Sequence, residues 1–127
     1  MTADQARARR QRAERWGRRA EALATVWLRL KGYRIIARRF KTPIGEIDII
    51  ARRGNRLSLV EVKARARLTE AHSAITPHQR GRIFRAAEFF LQRYPRYATM
   101  TLRFDAILVA PGRLPRHLTD AWRPQET

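Results

Sequence analysis

Two short apolar runs on either side of a glycine–asparagine pair constrain the fold more than any other stretch of this sequence. The first reads GEIDII from Gly45 and the second reads LSLVEVK to Lys63. Their β-branched residues favour strands, and Gly54-Asn55 suits a two-residue type II′ hairpin turn. The stretch therefore predicts an antiparallel hairpin in which the numbers of facing residues sum to 109.

Ionisable residues interrupt both runs of this hairpin. The predicted register places Asp48 opposite Glu61 and Glu46 opposite Lys63, and the alternation of side chains puts all four on one face. A slip of one residue would separate them, so the prediction depends on the turn type.

Two facing carboxylates repel each other, and a bound cation would reverse the sign of that interaction. Mg²⁺ prefers one or two carboxylates together with water and phosphate oxygens. With Lys63 on the same face, the set predicts metal-assisted hydrolysis of a phosphodiester. The alternative is an ordinary solvent-facing strand surface on which Asp48 and Glu61 simply point outward.

Asp48 followed by Glu61-Val62-Lys63 resembles the D…ExK signature of the PD-(D/E)xK nucleases. The wider sequence resembles the YraN-like family, an uncharacterised group related to Holliday-junction resolvases. The matching pieces cover roughly residues 15 to 122, and they are Gly17 to Glu21, Ala24, Leu28, Gly32-Tyr33, Gly45 to Asp48, Val60 to Lys63, Ile75 to Pro77, Arg103 to Asp105 and His117 to Trp122.

This resemblance implies an α/β (α+β) fold with a restriction-endonuclease-like core, a mixed β-sheet flanked by helices. It also implies that Asp48 and Glu61 bind Mg²⁺ or Mn²⁺ and that Lys63 is the catalytic lysine. The carbonyl of Val62 and the carboxylate of Glu21 would complete the metal site. The substrate implied is DNA, including branched DNA, and the resolvases imply a homodimer. The sequence departs from the family pattern at Arg39, where Asn is common, and at Gln79, where Lys is usual.

Charge points independently to a polyanionic partner. The chain has 28 lysines and arginines against 11 aspartates and glutamates, a formal net charge of +17. Such a surface attracts nucleic acid at long range. A nucleic-acid-binding module without catalytic activity, or a basic scaffold for a ribosomal partner, would carry the same charge, so charge alone leaves these alternatives open.

The length of 127 residues predicts one domain at residues 16–122, preceded by a basic arm or helix extension at 1–15 and followed by a tail at 123–127. Cysteine is absent, no apolar run is long enough to span a membrane, and no signal peptide is apparent. We therefore expect a cytoplasmic protein without a membrane partner.

Helical spacing predicts two long helices. In the first, an apolar stripe of Trp16, Ala20, Leu23, Trp27 and Leu30 is expected to face the core, with Glu21 at its edge. Thr76-Pro77 predicts the start of the second, which runs to about Arg93. Strands are predicted at 33–38, 99–110 and 117–122, with a loop at 40–44.

Four residues are predicted to contact the backbone of a nucleic acid: Arg65, Arg67, Gln79 and Arg80. Their positions, just beyond Lys63 and at the start of the second helix, fit this role. Arg65 and Arg67 are explained equally well as solvated arginines. Asp105 among apolar neighbours is expected to pair with Arg103. His72 and His78 lack a second ligand at suitable spacing and are read as ordinary polar residues.

Overall fold

In residues 1–66 and 75–123, which the computed structural model describes, a five-stranded mixed sheet lies between two long helices. The elements are α1 (Ala3–Leu30), β1 (Arg34–Lys41), β2 (Glu46–Arg53), β3 (Arg56–Ala64), α2 (Pro77–Arg93), β4 (Thr101–Val109) and β5 (Arg116–Trp122), and a 3₁₀ turn follows α2 at Pro95–Tyr97. The strands lie in the order β1-β2-β3-β4-β5, and only β3 and β4 are parallel. The predicted fold class is confirmed.

The central hairpin has the predicted register near the turn, but the predicted pairs Asp48–Glu61 and Glu46–Lys63 lie beyond the end of its ladder. Its paired residues run from Arg53 and Arg56 to Ile49 and Val60, and every pair sums to 109. Gly54 has a φ of 60°, whereas Asn55 keeps a negative φ. This combination defines the type II′ turn, which accepts glycine at its first position without strain.

Both faces of the sheet are covered, one by each helix. Ile49, Val60 and Val62 belong to the apolar cluster packed against α1, whereas Ile47 belongs to the cluster packed against α2. Regular alternation along the hairpin would place Ile47 on the same face as Ile49, and the structure places them on opposite faces. Regular pairing with β3 ends at Ile49, and the strict alternation of side chains ends with it.

The core face of α1 includes Trp16 and Ala20 of the predicted stripe but not Leu23 and Leu30. Ala20, Ala24, Thr25 and Leu28 are buried, whereas the exposed fractions of Leu23 and Leu30 are 43% and 76%. The two alanines allow the helix to approach the sheet closely, which the larger leucines would prevent. Because Glu21 lies on the same side of the helix as Ala24 and Leu28, this orientation of α1 also turns Glu21 towards the sheet.

Two boundaries also differ from prediction. Strand β1 continues to Lys41, so Phe40 lies in the sheet, where its ring packs edge-on at 5.2 Å from that of Phe90. Residues 3–15 belong to α1. The N-terminal segment therefore extends the first helix rather than forming a separate basic arm. None of the described helices is long and apolar enough to cross a membrane.

Candidate active site

Asp48 lies where β2 and β3 separate. One position beyond the last hairpin pair, its Oδ2 accepts a hydrogen bond of 2.8 Å from the backbone N–H of Val62. This bond anchors the carboxylate to β3 beside Glu61. This hydrogen bond, rather than ladder pairing, holds the Asp48 carboxylate against β3.

Glu61 and Lys63 project from alternate positions of β3 next to this carboxylate. The Nζ atom of Lys63 lies 3.4 Å from Oε1 of Glu61, and only 17% and 14% of these side chains are exposed. Lys63 is therefore a cation held within a largely enclosed acidic site rather than a solvated surface lysine.

The two carboxyl groups have unusual acidities because they are buried side by side. Burial raises the pKa of Asp48 to about 6, although the hydrogen bond from Val62 and the charge of Lys63 oppose the shift. Burial and the neighbouring Asp48 raise the pKa of Glu61 to about 8, again opposed by Lys63. The pair consequently favours a bound proton or a bound cation over two free negative charges.

Glu21 reaches the same region from α1. Its Oε1 is 3.1 Å from Nε of Arg39 on β1, and its charge contributes to the raised pKa of Asp48. Glu21 therefore forms a salt bridge and also lies within electrostatic range of the carboxylate pair. The metal-ligand role that the resemblance implies for Glu21 stays a prediction.

The backbone of Arg39 is itself unusual. Its φ is 52°, in the left-handed region that asparagine tolerates better than arginine. The asparagine that is common at this position in the YraN-like pattern suits that conformation. Arginine adopts it here while its guanidinium neutralises Glu21 beside the site.

A metal would have two carboxylates to bind at this site. In the described part of the chain, no three His, Cys, Asp or Glu side chains are grouped closely enough to hold an ion. Asp48 and Glu61 nonetheless match the donor set of Mg²⁺, which binds one or two carboxylates and takes its other oxygens from water and substrate phosphate. The mutual repulsion of two buried carboxylates is the observation that favours such a cation.

Comparison with known proteins identifies the family. The sequence profile of "Uncharacterised protein family UPF0102" matches residues 20–109, which include Glu21, Arg39, Asp48, Glu61 and Lys63. The chain belongs to UPF0102.

Full-length relatives in UPF0102 support this assignment. The chain is 57% identical over 112 residues to a UPF0102 protein of Parvibaculum lavamentivorans, covering 88% of this chain and 84% of the relative. It is 54% identical over 117 residues to one of Paramagnetospirillum magneticum, covering 89% and 91%. A Rhodopseudomonas palustris (strain HaA2) protein is 59% identical over 103 residues, covering 81% and 80%.

The residues predicted to contact nucleic acid lie in different settings. Gln79 closes the capping box of α2, where its Oε1 accepts a hydrogen bond of 2.9 Å from the backbone N–H of Thr76. Arg65 donates a backbone hydrogen bond to Val109 on β4, and Arg80 is half-buried. Arg67 and His72 lie outside the described residues.

Sequence reasoning missed Arg82, which packs against the residues just before β2. Its Nε donates a hydrogen bond of 3.2 Å to the carbonyl of Ile44, just before β2. A Cβ atom on Gly45 would lie 3.4 Å from that same nitrogen. Gly45 of the GEID motif therefore leaves room for Arg82. This glycine was the one sign in the sequence that another side chain packs closely at this point.

Asp105 belongs to a second ionic cluster. Arg103 binds it through two hydrogen bonds of 2.8 and 2.9 Å, as the predicted ion pair requires. His117 and the backbone N–H of Asp120 add two more, and Lys31 contacts the other ring nitrogen of His117 at 2.6 Å. Although burial raises it, the hydrogen bonds from His117 and Arg103 hold the pKa of Asp105 below its ordinary value.

Proposed function

We propose that this chain is a Mg²⁺- or Mn²⁺-dependent nuclease that hydrolyses phosphodiester bonds of DNA, including branched DNA. The observation that carries the proposal is the buried Asp48–Glu61 pair beside Lys63. Two carboxylates buried side by side are costly unless a proton or a cation compensates their charge.

The roles of the side chains follow from their positions. Asp48 and Glu61 would hold the metal, and the hydrogen bond from Val62 keeps Asp48 oriented towards Glu61. When bound, a divalent metal acts as a Lewis acid on the phosphate and lowers the pKa of water. The carbonyl of Val62 is a further oxygen donor in this proposal.

Lys63 would bind the substrate and stabilise charge. Its ammonium group pairs with Glu61 in the unliganded site. A phosphate oxygen can take the place of that partner when Glu61 binds a cation. Lys63 would then stabilise the extra negative charge that develops on the phosphate during hydrolysis.

The net charge supports nucleic acid as the substrate class. A charge of +17 favours a polyanion over a small phosphoester. Arg65, Arg67, Gln79 and Arg80 are proposed to contact the sugar–phosphate backbone, which provides affinity without base recognition. Two copies of the chain would serve the two equivalent strands of a DNA junction.

A second candidate function is nucleic-acid binding without hydrolysis. It is favoured by the salt bridge between Glu21 and Arg39, which neutralises the third acid near the site. Glu21 is then a positioning residue rather than a metal ligand.

Incubation of wild type, Asp48→Asn and Lys63→Ala with labelled junction and duplex DNA, with and without Mn²⁺, tests the proposal. We expect metal-dependent cleavage by wild type, loss of at least about a hundredfold in both variants, and DNA affinity changed less than about threefold. Cleavage that persists in both variants would contradict the assigned site. Binding without cleavage by wild type would favour the second function.

A further inference from the structure

A second charged cavity lies at the opposite end of β2, close to the hairpin turn. Its volume is about 520 Å³, and it is lined by Arg34, Ile35, Ile36, Arg52, Arg96 and Tyr97. Three of these six residues carry a guanidinium group and none carries a carboxylate. We call this cavity the arginine pocket.

The arginines of this pocket converge although their charges repel. Arg34 and Arg52 are direct partners across the β1–β2 ladder, an arrangement that destabilises a sheet when the charges are alike. Arg96 approaches from the 3₁₀ turn that follows α2. Since no acidic residue lines the cavity, an anionic ligand is the group that would compensate the three positive charges.

Two of the guanidinium groups are held in place. Nε of Arg52 donates a hydrogen bond of 3.0 Å to the carbonyl of Gly54. Nη2 of Arg96 donates one of 3.1 Å to the hydroxyl of Tyr97, and its guanidinium carbon lies 4.9 Å from the centre of that ring. Each arginine uses few of its five N–H donors in these contacts, and the planar group suits a phosphate.

The pocket and the carboxylate pair share one strand. Asp48 and Arg52 are four residues apart on β2, a separation of about 13 Å along an extended chain. A nucleic-acid strand carries one phosphate for each ~3.4 Å of helix axis. Two phosphates a few nucleotides apart on one strand of a duplex can therefore span the distance between Asp48 and the pocket.

We propose that the arginine pocket binds a backbone phosphate of the nucleic acid whose phosphodiester lies at Asp48 and Glu61. This inference rests on the proposed function for its ligand. The pocket would fix the direction in which the strand crosses the site, because it lies on only one side of the carboxylate pair.

The test measures binding of labelled junction and duplex DNA by fluorescence anisotropy over a salt series without divalent metal. The pocket variant is Arg34→Gln/Arg96→Gln. The control is Arg18→Gln/Arg29→Gln, which removes the same charge from two exposed arginines of α1. One lost phosphate contact should weaken binding by the pocket variant about tenfold and lower the slope of log K against log salt by about 1.

The control variant should change affinity less than about threefold. Equal losses in the two double variants would overturn the inference, since they would reflect net charge alone. Thermal unfolding of both variants verifies that each is folded.

Calorimetry with pyrophosphate separates a nucleic-acid phosphate from a free one. Saturable pyrophosphate binding that only the pocket variant loses, together with an unchanged DNA slope, would assign the pocket to a free phosphate and overturn the inference. Failure of the proposed function is distinguishable. If wild type binds DNA but does not cleave it with Mn²⁺, the nuclease proposal is contradicted. The test of the pocket variant measures DNA binding without metal and does not depend on cleavage.

Discussion

At the scale of single residues, the buried acids fall into two kinds. Asp105 is fully buried and compensated by Arg103 and His117, whereas Asp48 and Glu61 lie against each other beside Lys63. The first arrangement stabilises a charge within the fold, and the second leaves negative charge that a ligand can neutralise.

The carboxylate pair predicts an unusual dependence of stability on pH. The pKa values of Asp48 and Glu61 are higher in the folded chain than in the unfolded chain. Their contribution to stability is therefore complete below the ordinary carboxyl pKa of about 4 and is lost as the pH rises through about 6 for Asp48 and about 8 for Glu61. Asp48→Asn should raise the free energy of unfolding at pH 8 by roughly 2 kcal/mol without metal.

Urea unfolding across this pH range measures the effect. Glu88→Gln is the matched control, because Glu88 is exposed on α2 and its removal should leave the pH profile unchanged. A profile of Asp48→Asn that is parallel to wild type would contradict the shared burial of the two carboxyl groups.

Asp105 should behave in the opposite way. Asp105→Asn leaves Arg103 buried against an uncharged partner and is expected to lower the free energy of unfolding by about 3 kcal/mol, without affecting metal binding. Asp120→Asn is the control. Its side chain is 46% exposed, and its φ of 52° is one that asparagine accepts. Denaturant titration of both variants checks the difference.

At the scale of elements, turn and cap residues predicted the secondary structure near them. Contacts between residues far apart in the sequence could not be predicted. Gly54-Asn55 fixed the hairpin register, and Thr76-Pro77 marked the start of α2, because turns and caps depend on neighbouring residues. The contact between Lys31 and His117 joins residues 86 positions apart, and no local pattern indicates it.

The orientation of α1 shows the same limit. The most hydrophobic stripe of α1 was expected in the core. The side that packs against the sheet instead carries the small residues Ala20, Ala24 and Thr25. This orientation brings Glu21 close to the site. Its place at the edge of an apolar stripe in the sequence did not predict that position. Packing distance, rather than hydrophobicity alone, decides which side of the helix is buried.

A pair of substitutions tests this orientation. Leu28→Ala removes a fully buried side chain and should lower the free energy of unfolding by about 3 kcal/mol. Leu23→Ala removes a side chain that is 43% exposed and should cost less than about 1 kcal/mol. Equal losses in urea unfolding would contradict the assigned core face.

At the scale of the whole molecule, the net charge should dominate association with DNA. Contacts to roughly six to ten phosphates would give a slope of log K against log salt between about −5 and −9. Filter binding without divalent metal measures this slope for duplex and junction DNA. A slope of log K against log salt near zero would contradict binding to the DNA backbone, whether or not the chain cleaves DNA.

Calorimetric titration of Mn²⁺ into wild type and into Asp48→Asn, each also with bound DNA, tests the central claim most directly. The account predicts one stoichiometric site in wild type that Asp48→Asn lacks, because the site is built on the Asp48–Glu61 pair. Absence of a site in wild type even with DNA, or an unchanged site in Asp48→Asn, would contradict the assignment of the metal to this hairpin.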